Sequence, residues 1–312
     1  MRQFFEDIPL WLTNLLSIVG SVIAIGGFIY QVVSFVYLQA WPGWSLFLFI
    51  AFVASCLLIF WSKLKKYRLL SHNRLKNFSA LLERCNKKFK DTFFKILHRY
   101  KKNQLTQENL IELTQTCATT ILDELCNVLY DATGRAVSAN VKVFLPTDTS
   151  EELTADNARI TTFCRSSNSE RERSDADVLN SSGYLLKNCT DFHEIIGDDH
   201  TTQKEHIYVK DLYAHKQRLL ECGRTYQNGN PQWERFYKAS IIVPIRMEYR
   251  NLYHYKRDDA YHIIGFLCVD SMYTDAFRAD HEKFNCDIVR GVADILYILL
   301  SKYRHYSNKL IS

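Results

Sequence analysis

From Ile8 to Ser62 the chain contains no Asp, Glu, Lys or Arg, a run of fifty-five residues in a protein of 312. One helical crossing of a bilayer takes about 20 apolar residues, so the run is long enough for two. Its middle, Gln39-Ala40-Trp41-Pro42-Gly43, favours a turn over a continuing helix. The stretch is expected to form a transmembrane hairpin over 1–62, with one helix near Leu10–Leu38 and a second near Trp44–Trp61. A cleaved signal peptide does not fit. Met1–Asp7 carries one Arg and two acids, and the apolar run is too long.

Orientation follows from the flanks. Lys63, Lys65, Lys66, Arg68, Arg74 and Lys76 come directly after the second apolar stretch, while the turn is neutral. Basic residues beside a crossing stay in the cytoplasm. The expectation is a multi-pass protein of the cell inner membrane with both termini cytoplasmic. Asn14, Ser17, Ser21 and Gln31 fall with small residues on one arc of the first helix. That arc packs on the second helix, since small residues let membrane helices approach, or it forms a polar interface in a homo-oligomer.

Residues 63–102 hold fourteen Lys or Arg against Glu83 and Asp91, a balance of +12; with +5 overall, the remainder is −7. Beside a membrane, such a block contacts anionic lipid head groups, and no nucleic acid is expected. Phe78, Leu82, Cys85, Phe89, Phe93, Ile96 and Tyr100 recur at helical spacing. A basic helical connector is therefore expected over 63–104. Its stripe either pairs with the same helix of a second subunit or lies on the membrane surface. The nine cysteines show no C-x-x-C spacing, so free thiols are expected.

Residues 105–312 read as one α+β domain, an antiparallel sheet flanked by helices. A helix is marked by Leu110, Thr114, Cys117, Ile121, Leu125 and Val128 and ends at Asp131-Ala132-Thr133-Gly134. Strands are expected at Val137–Leu145, Arg159–Cys164, Phe192–Ile196, Ile207–Tyr213, Ala239–Met247 and His262–Val269. Pro244 places its strand at an edge or a bulge. A last helix is expected from Asp280 to Tyr306.

The pair Ser240-Ile-Ile-Val-Pro-Ile245 and Ile263-Ile-Gly-Phe-Leu-Cys-Val-Asp270, followed by Phe277 and a closing helix with Ala293-Asp294-Ile295-Leu296, resembles a GAF domain over about 105–306. The resemblance implies a small-molecule pocket over the sheet and dimerisation through terminal helices. The signature of the cyclic-nucleotide phosphodiesterase GAF domains is absent. The pocket is implied near 183–238, where Tyr184, Lys210, Asp211, Arg224, Tyr226 and Trp233 are the candidate ligand contacts, with Asp270 nearby. The plainer reading is that Trp233 caps the core, Arg224 and Lys210 are solvated, and Asp270 caps a turn.

No Gly-x-Ser-x-Gly, His-Glu-x-x-His or glycine-rich phosphate loop occurs. His193, His200 and His206 flank Asp198-Asp199 without a metal-binding spacing, so neither a metal nor a cofactor is expected. Some GAF-fold enzymes reduce methionine sulfoxide with cysteines, for which Cys164, Cys189 and Cys222 would be the candidates; inert thiols are the plainer reading. The chain is expected not to be an enzyme. It reads as a membrane-anchored cytoplasmic sensor that binds a small, nucleotide-like molecule or a partner and signals through the hairpin. The alternative is a ligand-activated, membrane-disrupting effector of a bacterial defence type.

Overall fold

The computed structural model describes residues 26–27, 29–30, 33, 45–145, 158–169, 173, 183–196, 204–230, 232–248 and 261–311. It divides into two compact units, Met1–Lys76 and Asn77–Ser312. Helix α1 spans Ser45–Lys101. In the first unit its Leu57, Leu58, Phe60 and Trp61 are exposed. Among the described residues no helix is long and apolar enough to cross a membrane. The structure therefore gives the expected hairpin no support. Most of its first helix, the turn at 39–43 and the face of Asn14, Ser17, Ser21 and Gln31 lie outside the described residues.

The second unit is an α+β sandwich. Helix α2 (Gln107–Thr133) begins where the Thr106 hydroxyl accepts from the Asn109 amide, satisfying one of the open donors of the first turn. It ends at Gly134, whose φ of 68° closes the last turn in the left-handed region that glycine tolerates. Strands β1 (Ser138–Phe144), β2 (Arg159–Arg165), β3 (Tyr184–Leu185), β4 (Ile207–Val209), β5 (Ala239–Glu248) and β6 (Tyr261–Ser271) follow in chain order. Between them lie α3 (Thr190–Ile196), α4 (Leu212–Glu221) and α5 (Trp233–Phe236), and α6 (Glu282–Ile311) closes the chain. The sheet order is β3-β2-β1-β6-β5-β4, and every recorded pairing is antiparallel.

Side chains on a strand alternate between faces, so each central strand serves two environments. Ala139, Val141, Ala239, Ile241, Val243, Leu267 and Val269 enter one core with the buried faces of α2 and α6. On the opposite face Phe266, Cys268 and Ile242 join Phe192, Ile195, Trp233 and Tyr237 under the connecting segments. Pro244 sits in β5 beyond its pairing with β4, which stops at Ile242, and just before a register shift at Ile245/Arg246. Its missing amide donor thus costs no ladder bond to β4.

Two expected strands differ. Phe192–Ile196 is the end of helix α3 rather than a strand, because a helical turn buries Asp191, Phe192 and Ile195 together. The expected strand Ile207–Tyr213 stops at Val209. The Asp211 carboxylate accepts from the Ala214 amide at 3.0 Å and starts α4 instead.

The connector stripe is also placed differently. Leu81 and Cys85 are buried in the core shared with α2 and α6, and Phe78, Leu82 and Phe89 pack against it. Phe93, Ile96 and Tyr100 pack with Leu105, Leu110 and Tyr306. The stripe thus packs on its own domain. Leu81→Ala is expected to destabilise the second unit by about 2–5 kcal/mol, the range for emptying a buried leucine site. Chemical denaturation followed by near-ultraviolet circular dichroism measures it; an unchanged midpoint would show that the stripe is not core.

Gly265 faces the backbone of β1. A Cβ there would overlap the Lys142 carbonyl oxygen, backbone that cannot swing aside. Gly265→Ala is expected to cost more than about 3 kcal/mol, at the upper end of single substitutions, read as a lowered melting temperature.

Candidate functional site

The even-numbered positions of the central strands form a polar floor. Asn140 and Lys142 from β1, Ser240 from β5, and Cys268 and Asp270 from β6 line a cavity of about 50 Å³. Tyr184, Cys189, Asp191 and Phe192, from β3 to the first turn of α3, supply one wall, and Asn228, Asn230 and Tyr237 another. Gly229 lets the chain pass directly against the Tyr184 ring, where any Cβ would collide with the ring atoms. The loop and α3 are tied together: the Thr190 amide donates to the Gln227 carbonyl at 3.0 Å, and the Gln227 amide donates to the Thr190 hydroxyl at 2.8 Å.

Charge in this space is buried. Arg173 donates to Asp270 at 2.8 Å, with both side chains only 6% exposed. Its guanidinium also lies 5.1 Å from the Tyr237 ring centre and donates to the Ser138 hydroxyl. Removing one member of such a pair leaves an uncompensated buried charge, so the two act as a unit. Asn140 Nδ2 donates to the same Asp270 oxygen at 3.3 Å. Because that nitrogen must face the carboxylate, Asn140 Oδ1 points away, and it has no partner among the described residues.

Asp191 is the other buried acid. Its Oδ2 accepts from the Tyr226 hydroxyl at 2.7 Å, while its Oδ1 has no partner among the described residues. Burial pushes its pKa up to about 6; the Tyr226 hydrogen bond opposes this and Glu194 adds to it. The Asn228 amide donates to the hydroxyls of both Tyr226 and Tyr237, completing the network behind Asp191.

Of the residues expected at the site, Tyr184 and Asp270 line the cavity. Tyr226 stands behind Asp191. Trp233 packs edge-on against Tyr226 and tilted against Tyr237, inside the core. The other three lie elsewhere. Arg224 pairs with Glu194 at the surface, Asp211 caps α4, and Lys210 borders a separate depression with His206 and His215. Sequence reasoning missed Asn140, Lys142, Arg165, Arg173, Asp191 and Ser240. The signal for the floor was the strict alternation of β1, where Ala139, Val141 and Val143 are apolar and Ser138, Asn140 and Lys142 are not.

Of the three suspected cysteines only Cys189 lines the cavity, and burial pushes its thiol up to about 12. Cys164 sits on β2, also pushed up to about 12 by burial, and Cys222 is exposed at the end of α4. Cys268 is the cavity's second thiol, and burial drives it up as well. No group of three or more His, Cys, Asp or Glu able to hold a metal occurs among the described residues.

No family model and no curated protein matches the chain. Solved structures do. A GAF domain of a phosphoenolpyruvate-protein phosphotransferase from Coxiella burnetii is 11% identical, covering 64% of this chain and 95% of that one with a TM-score of 0.36. The type II free methionine-R-sulfoxide reductase of Thermoplasma acidophilum is 12% identical over 61% of this chain and 96% of its own, with a TM-score of 0.34. A free methionine-R-sulfoxide reductase from Neisseria meningitidis, in complex with its substrate, is 12% identical over 64% of this chain and 91% of its own, with a TM-score of 0.32. At such values no chemistry transfers from any of them. They do correct one expectation: since enzymes stand beside GAF domains among these matches, the expectation that the chain is not an enzyme is withdrawn.

The Asp191 shift fixes a pH dependence. The native pKa near 6 lies above the unfolded value of about 3.9, so the native state holds the extra proton between them. The Asp191 contribution is fully present below about pH 4 and is lost as pH rises to about 6, a fall of about 3 kcal/mol. Asp191→Asn is expected to remove that fall and to raise stability at pH 7 by up to the same amount. Subtracting urea-melt stabilities of the two proteins from pH 4 to 8 tests it; a flat difference would place the titration elsewhere.

Proposed function

We propose that the chain is a membrane-anchored sensor whose second unit takes a small molecule into the cavity over β1, β5 and β6. The observation that carries the reading is the pair of buried oxygens, Asn140 Oδ1 and Asp191 Oδ1, left without partners among the described residues in a polar cavity. Buried polar groups in native proteins are nearly always satisfied, so such a pair asks for an occupant. A cavity of about 50 Å³ holds a few atoms, so the occupant's polar head enters it and the rest extends outward.

Membrane anchoring is supported by charge and exposure. Ile8–Ser62 carries no charge and runs straight into six basic residues by Lys76. Leu57, Leu58, Phe60 and Trp61 are exposed on α1, and an apolar surface of that kind needs a lipid or protein cover. Helix α1 then continues in sequence to Leu81 and Cys85 in the core behind the sheet, which offers a route for the occupied state to be read.

Two measurements test the reading on the full chain. Small molecules released by denaturing the purified protein are expected in the wild type and lost from Ser240→Met, whose side chain fills the cavity. Reporter fusions at Ala40 and at the C-terminus are expected on opposite sides of the membrane. No released molecule would refute the sensor; reporters on one side would refute the hairpin. Leakage of cells on ligand addition would move the output from signalling to membrane disruption.

A further inference from the structure

We infer that the occupant presents a small N–H-rich cation, a primary ammonium or an amidinium, to Asn140 Oδ1 and Asp191 Oδ1. The inference rests on the proposed cavity function and names the chemistry that the cavity selects.

Two carboxylates line the space, Asp191 and Asp270, and Glu194 lies one turn on from Asp191; Asp270 and Glu194 already have cations. Asp270 is held by Arg173 at 2.8 Å. Glu194, next to α3's end, is held by Lys204 at 2.6 Å and by Arg224 at 2.9 Å. Asp191 is buried as deeply as Asp270, yet among the described residues it has only the neutral Tyr226 hydroxyl. A buried carboxylate without a cation is costly, and the chain keeps one facing a cavity. Asn140 Oδ1 adds a second acceptor, and its orientation is fixed by the bond from its own nitrogen to Asp270. Two acceptors, one of them on a carboxylate with no ion pair among the described residues, call for a donor of at least two N–H groups carrying a positive charge.

The alternatives fit less well. Lys142, Arg165 and Arg173 would attract an anion to the lining, but at Asn140 Oδ1 and Asp191 Oδ1 it would meet two acceptor oxygens that can donate nothing to it. Water would satisfy both oxygens but leave the Asp191 charge unbalanced. A metal would need a third ligand, and no such cluster is present among the described residues.

The titratable groups around Asp191 are known. Glu194, Lys204 and Asp270 act on it through space, and Tyr226 through its hydrogen bond. Lys142, Arg165 and Arg173 line the same cavity. Burial raises the Asp191 pKa to about 6, so an ammonium bound to it is expected to bind more tightly as pH rises through that value.

The test is calorimetric titration of the purified full chain with ethylammonium chloride, acetamidinium chloride, sodium acetate and sodium phosphate at matched ionic strength. Either cation is expected to bind saturably at pH 7.5 and about tenfold or more weakly at pH 5, since a charge-assisted hydrogen bond is lost on protonation. Asp191→Asn is expected to lose at least that factor and its pH dependence. Asn140→Leu, which keeps the charge, is expected to weaken binding by a smaller factor and to retain the pH dependence.

Binding of acetate or phosphate alone would overturn the cation and leave the small-molecule reading standing. So would a co-purifying molecule without an amine or amidine. Cation binding that is equal in the wild type and Asp191→Asn would also overturn it. No binding of any probe overturns the inference, and if no molecule co-purifies either, the cavity reading falls with it.

Discussion

The second unit is built around the period-two alternation of β1, β5 and β6. One face of these strands is apolar throughout: Val141, Ile241, Val243, Leu267 and Val269 are all buried against α2, α6 and the distal part of α1. Fully burying a side chain of this size stabilises by about 1.5–3 kcal/mol. The other face carries Asn140, Ser240 and Asp270 at positions an ordinary core would fill with apolar groups. A polar floor at the centre of a sheet weakens packing on that side. It is tolerated because the helical side supplies the cohesion, and α1 adds to it with Leu81 and Cys85.

That division explains what the sequence disclosed and what it withheld. The stripe of α2 and the β-branched runs of β5 and β6 are periodic over many residues, so their type and place were legible, as was the stop at Gly134. Phe192–Ile196 was not. A short apolar run reads equally as strand or helix by periodicity, and here Asp191 in the first turn belongs to the helix. The stripe Phe78–Tyr100 announced that something covers it without saying what, because amphipathic spacing fixes a face and not its partner. Only the fold shows that α2 and α6 are that partner.

The site was less legible still. Lys210, Asp211 and Arg224 have suitable chemistry, but a residue's type does not fix its direction. Asp211 spends its carboxylate on a helix start and Arg224 its guanidinium on Glu194. Asp191 carries no local signal. Its role comes from Tyr226, thirty-five residues on, and from Asn140, on a strand reached by a different part of the chain. Arg173 likewise reaches Asp270 across ninety-seven residues. Contacts at such separation are consequences of topology, and only the alternation of β1 hinted at them beforehand.

The same topology places cavity and connector close together in the fold. Asn140 faces the cavity, while its neighbours Ala139 and Val141 face the core that holds Leu81 and Cys85. The two environments are therefore one strand apart. A close-packed interior passes on small displacements rather than absorbing them, because it has few voids in which to lose them. An occupant that draws Asn140 and Asp191 together would load β1 directly. The load would reach Leu81 and Cys85 of α1 without any change in sheet pairing. Coupling of this kind demands that the core have two discrete arrangements, since a ligand shifts an equilibrium only by its differential affinity for the two states. A second arrangement that held Asn140 Oδ1 and Asp191 Oδ1 apart would bind the occupant less well, and that difference is the quantity such coupling would use.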